Sequence, residues 1–167
     1  MPKRWMIYGA NGYTGELIAQ LAKEEGDSPI LAGRTREKVG PVGEDLGLDT
    51  RVFAVNDVEA TKGALEDIDA VVNAAGPFSV TSEPMVDACI ATGTHYLDIT
   101  GEIAAFEAIF KRHDEAAAAG VALISGVGFD VIPTDCMAAM LFEALPDATH
   151  LELAFGGEGG VSRGTLR

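Results

Sequence analysis

Short runs, most of them apolar throughout, alternate, along this 167-residue chain, with longer stretches in which apolar residues recur at helical spacing. The short runs are Trp5–Gly9, Pro29–Gly33, Arg51–Val55, Ala70–Ala74, Tyr96–Ile99, Val121–Ser125 and Leu151–Phe155. Lacking in–out alternation, they suit strands buried on both faces of a parallel sheet. The longer stretches are Thr14–Glu25, Arg36–Leu46, Val58–Leu65, Glu83–Ala91, Glu102–Ala119 and Pro133–Leu145. In the first of them Leu17, Ile18 and Leu21 share one face, the expected sheet-packing face, while Glu16, Lys23 and Glu24 point elsewhere. Strands separated by helices imply right-handed crossovers, so the expected fold class is α/β: a Rossmann-type doubly wound parallel sheet with helices on both faces. Gly26, Gly93 and Gly120 stand at plausible helix C-termini, and Pro133 suits a first turn.

The first strand runs directly into GANGYTG, with Gly9, Gly12 and Gly15 three residues apart, and a helix follows. The spacing is GxxGxxG rather than GxGxxG, but the physical demands match. Gly9 permits the tight turn, Gly12 lets a pyrophosphate approach the backbone, and Gly15 lets the helix pack closely on the strand. Free N–H groups and the positive end of the helix dipole then hold phosphate, so the candidate contacts are Gly9, Asn11, Gly12, Tyr13, Thr14 and Gly15. A turn that needs glycine for steric reasons alone, with no ligand, is the alternative.

The second strand ends in LAGRTREK. A carboxylate at that tip would accept the ribose hydroxyls of NAD and repel a 2′-phosphate, whereas here Gly33 is followed by Arg34, with Arg36 and Lys38 close behind. Arginine grips phosphate through a bidentate fork. The cluster stands out because only 12 residues are Lys or Arg against 26 Asp and Glu, a formal charge of −14. The expected cofactor is therefore NADP (NADPH); a solvated basic loop is the alternative. Asn56 and Asp57 follow the third strand and fit either the adenine side of a dinucleotide or an Asx cap of the next helix. The fourth strand ends in NAAGPF, where Ala74, Ala75, Gly76, Pro77 and Phe78 keep the backbone slim, either to pass beneath ribose and nicotinamide or to pack against the first helix.

The same charge balance excludes broad electrostatic attraction to nucleic acid or anionic lipid. No stretch approaches the roughly 20 apolar residues needed to span a bilayer, and the N-terminal apolar run breaks at Gly9, too early for a signal-peptide core. A cytoplasmic location is expected, with Cys89 and Cys136 as reduced core thiols. An excess of Asp and Glu over five lysines also suits a protein from a salt-rich cytoplasm, that is, a halophile.

GANGYTG, LAGR, NAAGPF, ACIATGTHYLDITGE (Ala88–Glu102) and SGVGFDVIPTD (Ser125–Asp135) occur in an order that resembles the saccharopine dehydrogenase-like oxidoreductases, nearest the branch of trans-acting enoyl reductases. The resemblance covers roughly residues 4–155. It implies a Rossmann domain, a nicotinamide cofactor, and a second, sheet-containing domain. By its motifs the glycine turn and Arg34 become NADP contacts, and Gly76, Pro77 and Phe78 border the nicotinamide. Tyr96, Asp98, Gly101 and Glu102 lie near the carboxyl end of the fifth strand, and Gly128, Phe129, Asp130 and Pro133 mark the crossover to the second domain. The expected division is a cofactor domain over residues 1–132, then the crossover helix and first strand of a substrate or dimerisation domain, cut short, over residues 133–167. The last stretch, GGEGGVSRGTLR, is Gly-rich and almost without apolar anchors.

Other chemistries find no support in the sequence. Tyr8, Tyr13 and Tyr96 are followed four residues on by Gly12, Leu17 and Thr100, so none forms the Tyr–Lys pair of a short-chain dehydrogenase. No GxSxG, HExxH or Walker A sequence occurs. His95, His113 and His150 lack ligand-like spacing and read as surface or capping residues; no metal is expected. Asp98 and Glu102 are the catalytic candidates, positioned to orient a substrate or relay a proton, with a buried hydrogen-bonding role for Asp98 and a helix N-terminal charge for Glu102 as the alternative. Met137, Met140, Leu141 and Phe142 form a packing face that, left partly exposed, favours a homodimer. Two functions are expected from this reading: an NADP-dependent oxidoreductase acting on a small-molecule C=C, C=O or C=N substrate, or a free-standing NADP-binding module without turnover.

Overall fold

The structure, a computed structural model, describes residues 3–154. Six strands run in parallel: β1 (Trp5–Tyr8), β2 (Ile30–Gly33), β3 (Thr50–Val52), β4 (Ala70–Asn73), β5 (His95–Asp98) and β6 (Leu123–Ile124). Their order across the sheet is β3-β2-β1-β4-β5-β6. The chain therefore builds outward from β1 in one direction, returns, and builds outward in the other, which is the doubly wound arrangement.

Successive residues of β1 supply two cores. Met6 and Tyr8 face one layer with Leu65, Val71, Met85 and Val86, whereas Ile7 faces the other with Ala19, Leu31 and Val39. The period-two geometry of a strand makes this division automatic, and it explains why β1 is apolar at every position. Helices α1 (Tyr13–Glu24) and α2 (Arg36–Leu46) cover the second core; α3 (Val58–Leu65), α4 (Phe78–Thr92) and α5 (Ile103–Phe110) cover the first. Helices α6 (His113–Ala119) and α7 (Ile132–Ala144) follow. Gly26, Gly93 and Gly120 have φ of 84°, 76° and 69°, the left-handed values expected at helix C-termini. No helix among the described residues is long and apolar enough to cross a membrane.

Several expectations need correction. The sheet-facing side of α1 is Gly15, Ala19 and Ala22, and Leu17 and Leu21 are 47% and 58% exposed. Small residues win that side because α1 lies close against the β1 turn. Helix α4 begins at Phe78, five residues before the expected Glu83, because its first turn is held by groups outside it, described below. The expected helix Glu102–Ala119 is two helices, broken where Arg112 pairs with Asp87 of α4 and Glu115 of α6. Residues Leu151–Ala154 form no strand, and Phe155 and the glycine-rich stretch after it lie outside the described residues. Cys89 is buried, but Cys136 is exposed rather than a core thiol. No residue of α7 is buried, and Met137, Met140, Leu141 and Phe142 are exposed.

Candidate functional site

The two strands at which the winding reverses, β1 and β4, are neighbours, and the loops after them meet at the carboxyl edge of the sheet. Open α/β sheets form their ligand crevice at this position. Gly9 leaves β1 with φ +85°, and a Cβ there would stand 2.9 Å from both the Cβ and the N of Ala75. Glycine is thus required at Gly9 twice, by conformation and by the approach of the β4 loop. A Cβ on Gly15 would run into Gly9 O and stand 2.9 Å from Ala10 Cα. Gly12 differs: a Cβ there would meet only Gly9 O, at 3.2 Å, with open space beyond. Gly12 is also the N-cap of α1 and offers no side-chain acceptor, so the N–H groups of Tyr13, Thr14 and Gly15 have no partner within the helix.

The turn is bound to β2 as well, since Gly9 and Ala10 donate to Ala32 O at 2.8 and 3.1 Å. Asn11 reaches across the end of β2, its Oδ1 only 3.0 Å from where a Cβ of Gly33 would lie. Arg34 follows, exposed, at the start of α2, whose N-cap Thr35 makes no side-chain capping bond. Among the described residues the ion pairs use Arg4, Arg51, Lys62 and Arg112, and none uses Arg34, Arg36 or Lys38. The charge of Arg34 reaches inward nonetheless. Burial raises the Tyr8 phenol above its ordinary pKa, and a hydrogen bond from Val55 N–H and the Arg34 guanidinium offset part of that rise. Asp57 caps α3 by accepting from Ala60 N–H at 3.1 Å, one of its two expected roles, and Asn56 is exposed beside it.

A buried polar network supports the β4 loop. Asn73 Oδ1 accepts from Ala75 N–H at 3.1 Å, and Asn73 Nδ2 donates to Thr81 Oγ1 and to the Tyr96 hydroxyl at 3.2 and 3.3 Å. Thr81 in turn donates to Ala75 O at 2.6 Å. The Tyr96 hydroxyl lies 2.8 Å from Asp98 Oδ2 and 3.1 Å from Ser82 Oγ. Burial and the nearby Asp98 carboxylate push the Tyr96 phenol far above its ordinary pKa, so it stays protonated and donates. Asp98 is wholly buried and accepts from Tyr96, Thr100 N–H, Gly126 N–H and Ser125 Oγ, and among the described residues it forms no ion pair. Its four acceptor positions are filled from within the fold, an arrangement that fixes the ends of β5 and β6 and leaves no lone pair for a substrate. Of the two alternatives for Asp98, the geometry is that of the buried hydrogen-bonding residue.

Glu102 has a different position. Its carboxylate accepts from the N–H groups of Phe78 and Ser79, at 2.7 and 2.9 Å, and so caps α4 from 24 residues away. Burial alone would raise its pKa, but the Phe78 and Ser79 bonds outweigh burial and hold it below the usual carboxylate value. Glu102 is also the N-cap residue of α5, but its side chain makes no capping bond there; the carboxylate is turned to the N-terminus of α4. Asp130 lies between two glycines: a Cβ on Gly101 would be 2.6 Å from Asp130 Oδ2, and one on Gly128 2.9 Å from Oδ1.

Thr81, Ser82, Thr100 and the long-range cap by Glu102 were not identified from the sequence. The available signal was a polar residue near the end of each of two apolar runs, Asn73 and Asp98, which the structure sets in register. A hollow of about 460 Å³ beside Ile109, Phe110, His113 and Leu123 contains none of the candidate residues. Among the described residues no group of three or more His, Cys, Asp or Glu is placed to hold a metal ion.

Over residues 5–124 the chain matches the family described as the saccharopine dehydrogenase NADP binding domain. A saccharopine dehydrogenase-like oxidoreductase of Bos taurus is 35% identical over 154 residues, covering 80% of this chain and 36% of that protein. A trans-acting enoyl reductase of Mycobacterium leprae is 34% identical over 145 residues, covering 82% of this chain and 35% of that protein. The chain thus spans well under half the length of the curated relatives it matches. Apo saccharopine dehydrogenase (L-Glu forming) from Saccharomyces cerevisiae shares the fold, with a TM-score of 0.75 at 17% identity over 86% of this chain and 31% of that one.

Proposed function

Because the chain belongs to the saccharopine dehydrogenase family through its NADP-binding domain, we propose that it is the cofactor-holding part of an NADP-dependent oxidoreductase. The observation that carries this reading is the crevice between β1 and β4. There an uncapped helix N-terminus, an open face at Gly12 and the small residues of the β4 loop converge. The fit of the cofactor rests on these features. The open side of Gly12 admits a pyrophosphate, and the N–H groups of Tyr13, Thr14 and Gly15 are donors without partners in their own helix. Arg34, unpaired among the described residues of an acidic chain, suits the 2′-phosphate through its planar fork.

In this reading Asn11 spans from the turn to Gly33 and shapes the adenosine side, with Asn56 and Asp57 at its margin. Ala74, Ala75, Gly76, Pro77 and Phe78 form the wall on the nicotinamide side. When bound, the cofactor supplies or accepts a hydride, exchanged with a C=C, C=O or C=N bond of a small molecule. Residues 1–132 hold the cofactor, and residues 133–167 open a substrate domain, to which the exposed apolar side chains of α7 would contribute. Asp98 takes no proton-transfer role, since its oxygens are occupied.

Calorimetric titration of the chain with NADPH and with NADH tests the proposal. NADPH is expected to bind at least about tenfold more tightly, the difference one strong phosphate contact supplies. Absence of binding by either nucleotide to the folded chain would overturn it.

A further inference from the structure

Helix α4 lacks one backbone bond just after its first turn. Pro84 stands inside α4 and has no N–H to give to Val80, so the ladder that would tie residues 78–81 to the rest of the helix lacks a rung. The N-cap, Pro77, has no side-chain acceptor. Val80 and Thr81 N–H close this turn on Pro77 O, and groups outside it hold it further: Glu102 accepts from Phe78 and Ser79 N–H, and Thr81 is held between Asn73 Nδ2 and Ala75 O.

Glu102 is itself placed by a short relay. Asp98 Oδ1 accepts from Thr100 N–H at 3.0 Å, and Thr100 Oγ1 accepts from Glu102 N–H at 3.0 Å. The buried end of β5 thus sets the loop, the loop sets the carboxylate, and the carboxylate sets the start of α4. That start is continuous with Ala75–Pro77, and Ala75 lies against Gly9 of the glycine turn. A carboxylate accepting one backbone N–H on each oxygen at a helix N-terminus is a strong anchor, favoured by both the hydrogen bonds and the helix dipole.

We propose that Glu102 is a positioning residue: by clamping the first turn of α4, it fixes the wall formed by residues 75–79 and so the seat of the nicotinamide half of the cofactor, without touching the adenosine half. The inference rests on the cofactor reading above. It separates two functions along the carboxyl edge, with β1 and β2 holding phosphates and Glu102 ordering the redox end from the β5 side.

The test compares NADPH with adenosine 2′,5′-bisphosphate, which carries the 2′-phosphate but no nicotinamide. In Glu102→Ala the affinity for NADPH is expected to fall roughly tenfold, the loss of one charge-assisted anchor. The bisphosphate should stay within about twofold, inside the spread expected of an uninvolved site. The fluorescence of bound NADPH, which reports the surroundings of the nicotinamide, should revert toward that of the free molecule. Glu102→Gln keeps one acceptor oxygen and should fall between the two; it serves as the readout if the alanine variant does not fold. Equal losses for both ligands, or no loss for either, would overturn the positioning role while leaving the cofactor reading intact. Failure of the unmodified chain to bind either ligand would overturn both.

Discussion

Asn73 and Asp98 stand opposite each other at the ends of the neighbouring strands β4 and β5, and the hydroxyl of Tyr96 bridges them, 3.3 Å from Asn73 Nδ2 and 2.8 Å from Asp98 Oδ2. This bridge turns two strand ends into one rigid shelf beneath the crevice. It also distinguishes a support from a reacting group, because a carboxylate saturated by internal donors acts through the shape it maintains.

Asp98→Ala should therefore be a stability variant. Removing the acceptor strands four donors, and the loss should be about 3 kcal/mol or more. For a chain of this length that corresponds to a fall of roughly 6–12 °C in Tm by calorimetry. A variant that melts like the parent would overturn this bracing role for Asp98.

Arg34→Asp should weaken NADPH far more than NADH, because a like charge replaces the partner of the 2′-phosphate. A change in the affinity ratio of tenfold or more is expected, corresponding to about 1.4 kcal/mol. Parallel losses in the two titrations would show that Arg34 does not discriminate between them.

Gly12 and Gly15 should separate binding from folding. Gly12→Val meets only Gly9 O and opens onto solvent, so the variant should fold and lose both nucleotides. Gly15→Val drives a side chain into Gly9 O and Ala10, and should lower Tm in the absence of any ligand. Circular dichroism melts alongside titrations would show whether the two effects divide in this way.

Asp67 provides a pH-dependent test away from the crevice. Hydrogen bonding from Arg51, aided by the charges of Arg51 and Arg4, lowers its carboxyl pKa from 3.8 to about 2. A carboxyl whose pKa is depressed by folding stabilises the native state above its unfolded value and loses that contribution as pH falls through the folded value. Asp67→Asn should therefore lower Tm at neutral pH and converge with the parent near pH 2. Because the pair is partly exposed, the difference should be about 1 kcal/mol or less.

Molar KCl offers a further check on the acidic surface. If the charge of −14 is an adaptation to salt, Tm should rise as screening weakens self-repulsion. A flat or falling Tm would remove the salt-rich cytoplasm from the account.

The strands and the glycine turn were legible because each rests on local rules. Continuous apolar runs, the glycines that end α1, α4 and α6, and the spacing of Gly9, Gly12 and Gly15 need no knowledge of distant residues. The errors arose where distant residues decide. Leu17 and Leu21 satisfy an amphipathic pattern, yet closeness to the β1 turn gives the buried side to Gly15, Ala19 and Ala22. The start of α4 was missed because its cap lies 24 residues downstream, on Glu102. Asp98 and Glu102 were both recognised as polar residues near a ligand edge, but only their partners distinguish a buried brace from a helix clamp.

The strand order carries one more consequence. Residues up to β3 form one contiguous half and residues from β4 onward form the other, and the two halves join in the sheet along a single seam, β1 against β4. The glycine turn lies on one side of that seam and the Ala74–Phe78 loop on the other. A molecule held between them acts as a fastener, so its binding energy adds to the cohesion of the halves rather than to either alone. The crevice comes into being only when that joint closes, and assembly of the sheet and assembly of the site are a single event.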